Sequence, residues 1–134
     1  MFLTLDLNSD IPIYTQIRNQ VIKAIAKKDL NSGDSLPSVR QLAADLGVNL
    51  HTINKAYNIL KQEGFLTIHR RKGVVINSPE KYIGEKEYYL NLKEELEIIT
   101  SEAVCRGLNY EEICNIIGDI IKDLNKNERS NNNE

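Results

Sequence analysis

Apolar residues in the first half of the chain recur with the period of an α-helix, and the first such stretch predicts a helix after Pro12. A proline is well placed at a helix start, where its missing N–H has no partner to lose. The Asn31–Asp34 turn is expected to end this helix, and the alternating run Phe2–Leu5 to precede it as a short strand. The apolar positions of the helix are Ile13, Ile17, Val21, Ala24 and Ile25.

Two shorter helices follow, separated by a turn that contains a glycine. Leu36-Pro37-Ser38 opens the second helix, with Ser38 as N-cap, Gln41 completing a capping box and Gly47 ending it. Asn49 is expected to cap the third helix, which runs to about Glu63 and stops at Gly64. The predicted buried positions are Val39, Leu42, Ala43 and Leu46, then Ile53, Ala56, Tyr57 and Leu60. This spacing is typical of a helix-turn-helix.

The residues after Gly64 predict a β-hairpin with a basic tip. Strand-like runs at 65–68 and 74–76 flank the sequence His69-Arg70-Arg71-Lys72-Gly73. Three helices followed by such a hairpin indicate a winged helix. The predicted fold class is therefore mainly α with a small β-wing.

The second half of the chain predicts a pair of helices after a linker at 78–81. The first runs from about Glu85 to Arg106 and ends at Gly107, and Asn109 caps the second in a capping box with Glu112. The second helix has one strongly apolar face, which cannot be satisfied within a two-helix hairpin. Two explanations remain, folding back onto the winged helix or pairing with a second copy, and we favour the homodimer.

We accordingly divide the chain into a winged helix-turn-helix domain at 1–78, a dimerisation hairpin at 79–127 and a disordered polar tail at 128–134. The predicted dimerisation residues are Leu92, Leu96, Ile99, Ile113, Ile116, Ile117, Ile120, Ile121 and Leu124.

Charge is distributed unevenly along the 134 residues, although the net charge is only −2. Residues 1–78 contain ten Lys/Arg and six Asp/Glu, a net +4, whereas residues 79–134 contain seven and thirteen, a net −6. This asymmetry indicates that the front of the chain meets a polyanion, with chance scatter of surface charge as the alternative. We expect a cytoplasmic protein, because the sequence shows neither a signal peptide nor a membrane span.

The predicted third helix offers a polar face for reading DNA bases. Asn54 can recognise adenine, His51 can donate or accept a hydrogen bond, and Leu50 can pack on a thymine methyl. Arg40 supplies the bidentate donor that this helix lacks, unless it pairs with Asp45 instead. The candidate DNA-binding residues are Ser38, Arg40, Asn49, Leu50, His51, Thr52, Asn54, Lys55, Arg70, Arg71, Lys72 and Gly73.

An ordered set of motifs resembles the GntR family of bacterial transcription regulators. These motifs are Pro12-Ile13-Tyr14-Thr15-Gln16-Ile17, Gly33 to Ala43, Gly47-Val48-Asn49, Thr52 to Tyr57, Gly64 and the wing Arg70–Gly73. The short helical tail is similar to the YtrA-type branch. The resemblance implies a dimeric repressor, often of a transporter operon. It also implies DNA contacts from Arg40, Thr52 and residues 49–51 and 54, with the wing tip reaching the minor groove or the backbone.

Two positions depart from the family pattern. Leu50 stands where the family often has a basic residue, which puts a guanine contact there in doubt. Arg71 replaces the first glycine of the usual Arg-Gly-Lys-Gly wing, so it must either adopt the geometry of a glycine or extend its side chain to a phosphate. We expect this wing to make binding more dependent on salt.

Other chemistry is weakly indicated. Cys105 and Cys114 could approach each other as a redox switch, although buried free cysteines are far commoner. No nucleophile, nucleotide-binding or zinc motif is present, so we expect no enzyme, cofactor or metal site, and no effector is identifiable. The alternatives to a DNA-binding homodimer are a protein-interaction module, whose acidic hairpin docks a basic partner, and a small redox sensor.

Overall fold

Three helices and a three-stranded antiparallel sheet make up the first of two compact units, which ends at Tyr82. The computed structural model describes residues 3–82 and 84–126. The elements of this unit are α1 (Ile13–Ala26), β1 (Ser35–Leu36), α2 (Val39–Leu46), α3 (Leu50–Gln62), β2 (Leu66–His69), β3 (Gly73–Ile76) and a short 3-10 helix (Pro79–Lys81). They form a winged helix, so the predicted fold class is confirmed.

The core lies around α3, whose four predicted apolar positions are all buried. Ile17 and Val21 of α1, together with Leu42 of α2, fill the same core from the helical side. Leu66 and Ile76 close it from the sheet. Burying such side chains stabilises the fold by roughly 1.5–3 kcal/mol each. One face of α3 is therefore fixed and its opposite face remains available.

The sheet contains one strand that the sequence pattern did not predict. Strand order is β1-β3-β2, with Ser35 opposite Val75 and Leu36 opposite Val74. Leu36 pairs with β3, and α2 starts at Val39 directly after the N-cap Ser38, as the sequence predicted. The two wing strands lie within one residue of their predicted positions.

The N-terminal segment is not the predicted strand. Phe2 lies outside the described residues, and residues 3–6 have no regular structure. Glutamine side chains of α1 satisfy this backbone instead: the Thr4 N–H donates to Gln20 Oε1 at 2.8 Å, and the Asp6 N–H donates to Gln16 Oε1 at 2.9 Å. Side-chain amides thus replace the neighbouring strand that a β ladder would need.

The first helix ends earlier than predicted. It stops at Ala26, and Lys28 takes a left-handed conformation with φ 68° that carries the chain out of the helix. The Asn31–Asp34 turn does form, with the Asp34 N–H donating to the Asn31 carbonyl at 3.0 Å. The turn therefore lies after the end of α1 and is not what ends this helix.

Residues at the base of the wing contact the segment at the end of the first unit. Asn77 is buried, accepts a hydrogen bond from the Thr67 hydroxyl at 2.6 Å and donates to the Gly64 carbonyl at 2.8 Å. Phe65 stacks on Tyr82 with ring centroids 4.7 Å apart. These contacts fix the end of α3, both long strands and the 3-10 helix against one another.

The second unit contains α4 (Lys86–Cys105) and α5 (Tyr110–Leu124), as the sequence predicted. Asn109 caps α5 in a complete capping box with Glu112. Among residues 84–126 only Ala103, Leu108, Ile113 and Leu124 are half-buried, and the others are exposed. The predicted tail at 128–134 lies outside the described residues.

Candidate nucleic-acid interface

The first turns of α3 form a polar, exposed end on a helix whose other side is buried. Asn49 caps it: its Oδ1 accepts a 2.8 Å hydrogen bond from the His51 N–H. The side-chain carbonyl oxygen of Asn49 therefore bonds within the helix, and the side-chain NH₂ group remains to donate to an outside acceptor. His51, Asn54 and Lys55 are exposed, whereas Thr52 is half-buried.

Leu50 is the one large apolar side chain on this exposed end of α3, with 40% of its surface accessible. It is the first residue of the helix, next to the capping asparagine. An apolar group at this place can contact a thymine methyl but cannot donate a hydrogen bond to guanine.

The start of α2 adds a hydroxyl and a guanidinium. Ser38 caps α2 by accepting from the Gln41 N–H at 3.1 Å, and Arg40 lies exposed in the first helical turn. The reciprocal half of the predicted capping box is wrong, because Gln41 Nε2 donates to Asp45 Oδ1 at 2.8 Å. No ion pair joins Arg40 to Asp45, both of which the structure describes. The Arg40 guanidinium is therefore not neutralised by that carboxylate.

The wing tip brings three cations together. Arg70, Arg71 and Lys72 are all exposed on the turn between β2 and β3, where His69 pairs with Gly73. Gly73 supplies the left-handed residue of the turn, with φ 76°. Apart from glycines, Lys28 is the one described residue with positive φ, so Arg71 keeps an ordinary backbone. Of the two possibilities for Arg71, a strained backbone is excluded.

A contact that the sequence did not reveal joins α3 to α1. The Lys55 ammonium lies 3.9 Å from the centroid of the Tyr14 ring. Such distances, within about 6 Å, define a cation–π interaction. The sequence around Tyr14 indicates only that it lies in the first turn of a helix. Its contact with Lys55 depends on the packing of α1 on α3.

A second surface lies on α5, where an apolar stripe faces solvent. Ile116, Ile117, Ile120 and Ile121 are 45–53% exposed, and Ile113 and Leu124 are half-buried. On α4, Leu92, Leu96 and Ile99 are exposed as well. Large contiguous apolar patches on a soluble protein mark interaction sites.

The two cysteines are exposed and free, so the expectation that they are buried is wrong. The hydrogen bond that the Tyr110 hydroxyl donates to the Cys114 side chain, one turn away, raises the pKa of this phenol. No cluster of three or more metal-ligating side chains occurs in residues 3–82 and 84–126. Nor does any helix of these segments have the length and hydropathy that crossing a bilayer requires.

Comparison with known proteins agrees with this architecture. Residues 13–76 match the family model described as bacterial regulatory proteins, gntR family. The HTH-type transcriptional repressor YtrA of Bacillus subtilis strain 168 is 32% identical over 122 residues, covering 91% of this chain and 94% of that protein.

Two solved structures extend the comparison to the fold. YtrA from Sulfolobus acidocaldarius, a GntR-family transcription factor, has a TM-score of 0.61 and 40% identity, covering 78% of this chain and 99% of that one. A transcriptional antiterminator from Listeria monocytogenes EGD-e has a TM-score of 0.83 and 26% identity, covering 90% of both chains. The chain belongs to the GntR family, in its YtrA-type branch, and is a transcriptional regulator with a GntR DNA-binding domain.

Proposed function

We propose that this regulator is a homodimeric repressor that binds a palindromic operator, with residues 1–78 contacting DNA and residues 79–127 forming the dimer. The observation that carries the proposal is the polar, exposed N-terminal end of α3 on a helix whose other face is buried. In a helix-turn-helix this end enters the major groove. The repressor role is supported by the similarity to YtrA of Bacillus subtilis, which is an HTH-type transcriptional repressor.

Base reading falls to α3 in this proposal. Asn54 takes adenine through its amide, His51 offers a ring nitrogen, and Leu50 packs on a thymine methyl. Asn49 donates through the NH₂ group that capping leaves unused. Thr52 is half-buried at the edge of this face, where a short hydroxyl suits a phosphate.

Phosphate contacts come from the start of α2 and from the wing. Arg40 is exposed in the first turn of α2, where unpaired backbone N–H groups also favour an anion. Ser38 caps that turn and keeps its hydroxyl hydrogen for donation. The wing cations Arg70, Arg71 and Lys72 repel one another unless an anion is near, and Gly73 shapes their turn.

Dimerisation is assigned to the exposed apolar stripe of α5, with α4 contributing Leu92, Leu96 and Ile99. Pairing two copies would remove these side chains from water. This burial stabilises a dimer by roughly 25 cal/mol per Å² of apolar surface. A symmetric dimer also presents two α3 helices to two half-sites, which doubles the contacts and accounts for a palindrome. A transporter operon in the cytoplasm is the proposed target, by analogy with the YtrA-type branch.

Sequencing the genomic fragments that purified protein retains tests DNA recognition directly. We expect a shared palindrome whose binding weakens steeply with salt. Binding no better than to random duplex at physiological salt would sink the proposal and favour a protein-interaction module.

The dimer has a separate test in sedimentation. Ile120→Glu places a charge on the apolar stripe of α5 and should yield monomers, whereas Asn115→Glu on the exposed polar side should leave the dimer intact. Equal behaviour of the two variants would rule out this stripe as the dimer interface.

A further inference from the structure

Helix α3 contacts an aromatic ring of α1 through the side chain of Lys55. Tyr14 lies in the first turn of α1 and is half-buried, and the Lys55 ammonium sits 3.9 Å from its ring centroid. Lys55 itself is exposed. The contact therefore orders a long, solvent-facing side chain that would otherwise sample many rotamers.

The Tyr14 ring defines which side of α3 Lys55 occupies. The exposed face of α3 carries His51, Asn54, Lys55 and Asn58. Successive residues advance by about 100° around a helix, and contact with α1 shows that Lys55 lies at the edge of this face that adjoins α1. Asn54 precedes Lys55 by one residue, so it lies about 100° around the helix, away from that edge.

The dimensions of DNA give this edge a specific environment. A helix with its side chains is about 10–12 Å across, and the major groove is about 12 Å wide. A helix that fills the groove therefore places its flanks against the groove walls, which are sugar and phosphate. A cation held at the flank meets phosphate oxygens, whereas residues on the middle of the face meet base edges.

We propose that Tyr14 is a positioning residue for DNA binding, which holds the Lys55 ammonium at the groove wall to contact a backbone phosphate. The inference rests on the proposed function and assigns Lys55 to sequence-independent binding. The ring attracts the ammonium without removing its charge, and N–H groups turned away from the ring remain to donate to a phosphate oxygen. Because the side chain is already ordered, less rotamer entropy is lost when DNA binds.

Four variants test this proposal on a duplex chosen from the fragments that wild-type protein retains. Lys55→Gln should weaken binding and reduce the slope of log K against log salt by about one. Tyr14→Leu should weaken binding by about two- to fivefold, because it leaves the charge but removes the ring. Tyr14→Phe keeps the ring and should bind like wild type. Combining Tyr14→Leu with Lys55→Gln should cost no more than Lys55→Gln alone.

Thermal unfolding of each variant separates positioning from folding, and Tyr14→Gln replaces Tyr14→Leu if the latter does not fold. An equal loss from Tyr14→Leu with and without Lys55 would overturn the proposal and leave Tyr14 a packing residue. Tighter binding by Tyr14→Leu would also overturn it, because the ring would then hold Lys55 away from DNA. Wild-type protein that prefers no duplex would overturn the proposed function itself. If wild-type protein binds its duplex and the Tyr14→Leu variant binds equally well, only this inference is overturned and the proposed function stands.

Discussion

The Tyr57 hydroxyl donates a 2.8 Å hydrogen bond to the carbonyl oxygen of Pro37, twenty residues earlier in the chain. Tyr57 is fully buried on α3, and Pro37 lies between β1 and α2. The bond therefore ties α3 to the start of the helix that carries Arg40. Burial raises the pKa of the Tyr57 phenol, so the hydroxyl stays protonated and keeps donating in alkaline solution.

Tyr57→Phe keeps the buried ring but removes this donor, which leaves the Pro37 carbonyl without its partner. We expect the free energy of unfolding to fall by about 1–2 kcal/mol in urea titrations. Tyr88→Phe is the matched control, because Tyr88 is 60% exposed and its change should leave stability unaltered. Equal stability of Tyr57→Phe and wild type would mean that the bond contributes nothing.

Two glycines with the same φ allow steric crowding to be separated from backbone strain. Gly33 and Gly64 both have φ 89°. A Cβ added at Gly33 meets nothing within 4 Å, whereas one at Gly64 would run into the carbonyl oxygen of Lys81. The same substitution therefore has one unfavourable effect at Gly33 and two at Gly64.

Gly33→Ala should lower the free energy of unfolding by about 1–2 kcal/mol, the cost of a left-handed alanine. Gly64→Ala should lower it further, on the order of 3–5 kcal/mol in total, because the 3-10 helix must shift away from the end of α3. Chemical denaturation of both variants provides the comparison. Similar losses of unfolding free energy in the two variants would show that the 3-10 helix can shift at no measurable cost.

The charge of the wing can be tested with two arginines changed in the same way. Arg71→Gln removes a cation from the exposed wing tip, and Arg106→Gln removes one from the end of α4. If Arg71 contacts a phosphate, its loss should reduce the slope of log K against log salt by about one, and the Arg106 variant should keep the wild-type slope. Matching slopes for Arg71→Gln and wild type would refute a phosphate contact.

Elements with local chemical signals were predictable from the sequence. Ser38, Asn49 and Asn109 each accept the N-cap hydrogen bond expected of them, and Gly47 takes the left-handed conformation. These caps depend on residues four or fewer positions away, so a sequence contains all the information that they need.

Features that depend on distant partners were not predictable. Strand β1 is two residues long and exists because Val74 and Val75 pair with it. The segment near Thr4 alternates like a strand, yet Gln20 of α1 binds its backbone instead. In the candidate site the same limit applied to Tyr14, whose contact with Lys55 arises from packing and not from spacing. The exposure of the α5 stripe likewise depends on which parts of the chain pack against it, and sequence spacing does not determine that.

Arg40 and the α3 side chains should contribute to DNA binding in different ways. Arg40 is a cation at the start of α2, whereas His51 and Asn54 are hydrogen-bonding groups on the exposed face of α3. Arg40→Ala should weaken binding to every sequence by a similar factor, because a phosphate contact carries no base information. Asn54→Ala or His51→Ala should relax the preference at individual positions, by about 1–3 kcal/mol at each. Sequencing the duplexes that each variant selects, with affinities at one fixed salt concentration, measures both effects. If Arg40→Ala changed the selected motif while Asn54→Ala weakened all sequences equally, the two roles would have to be exchanged.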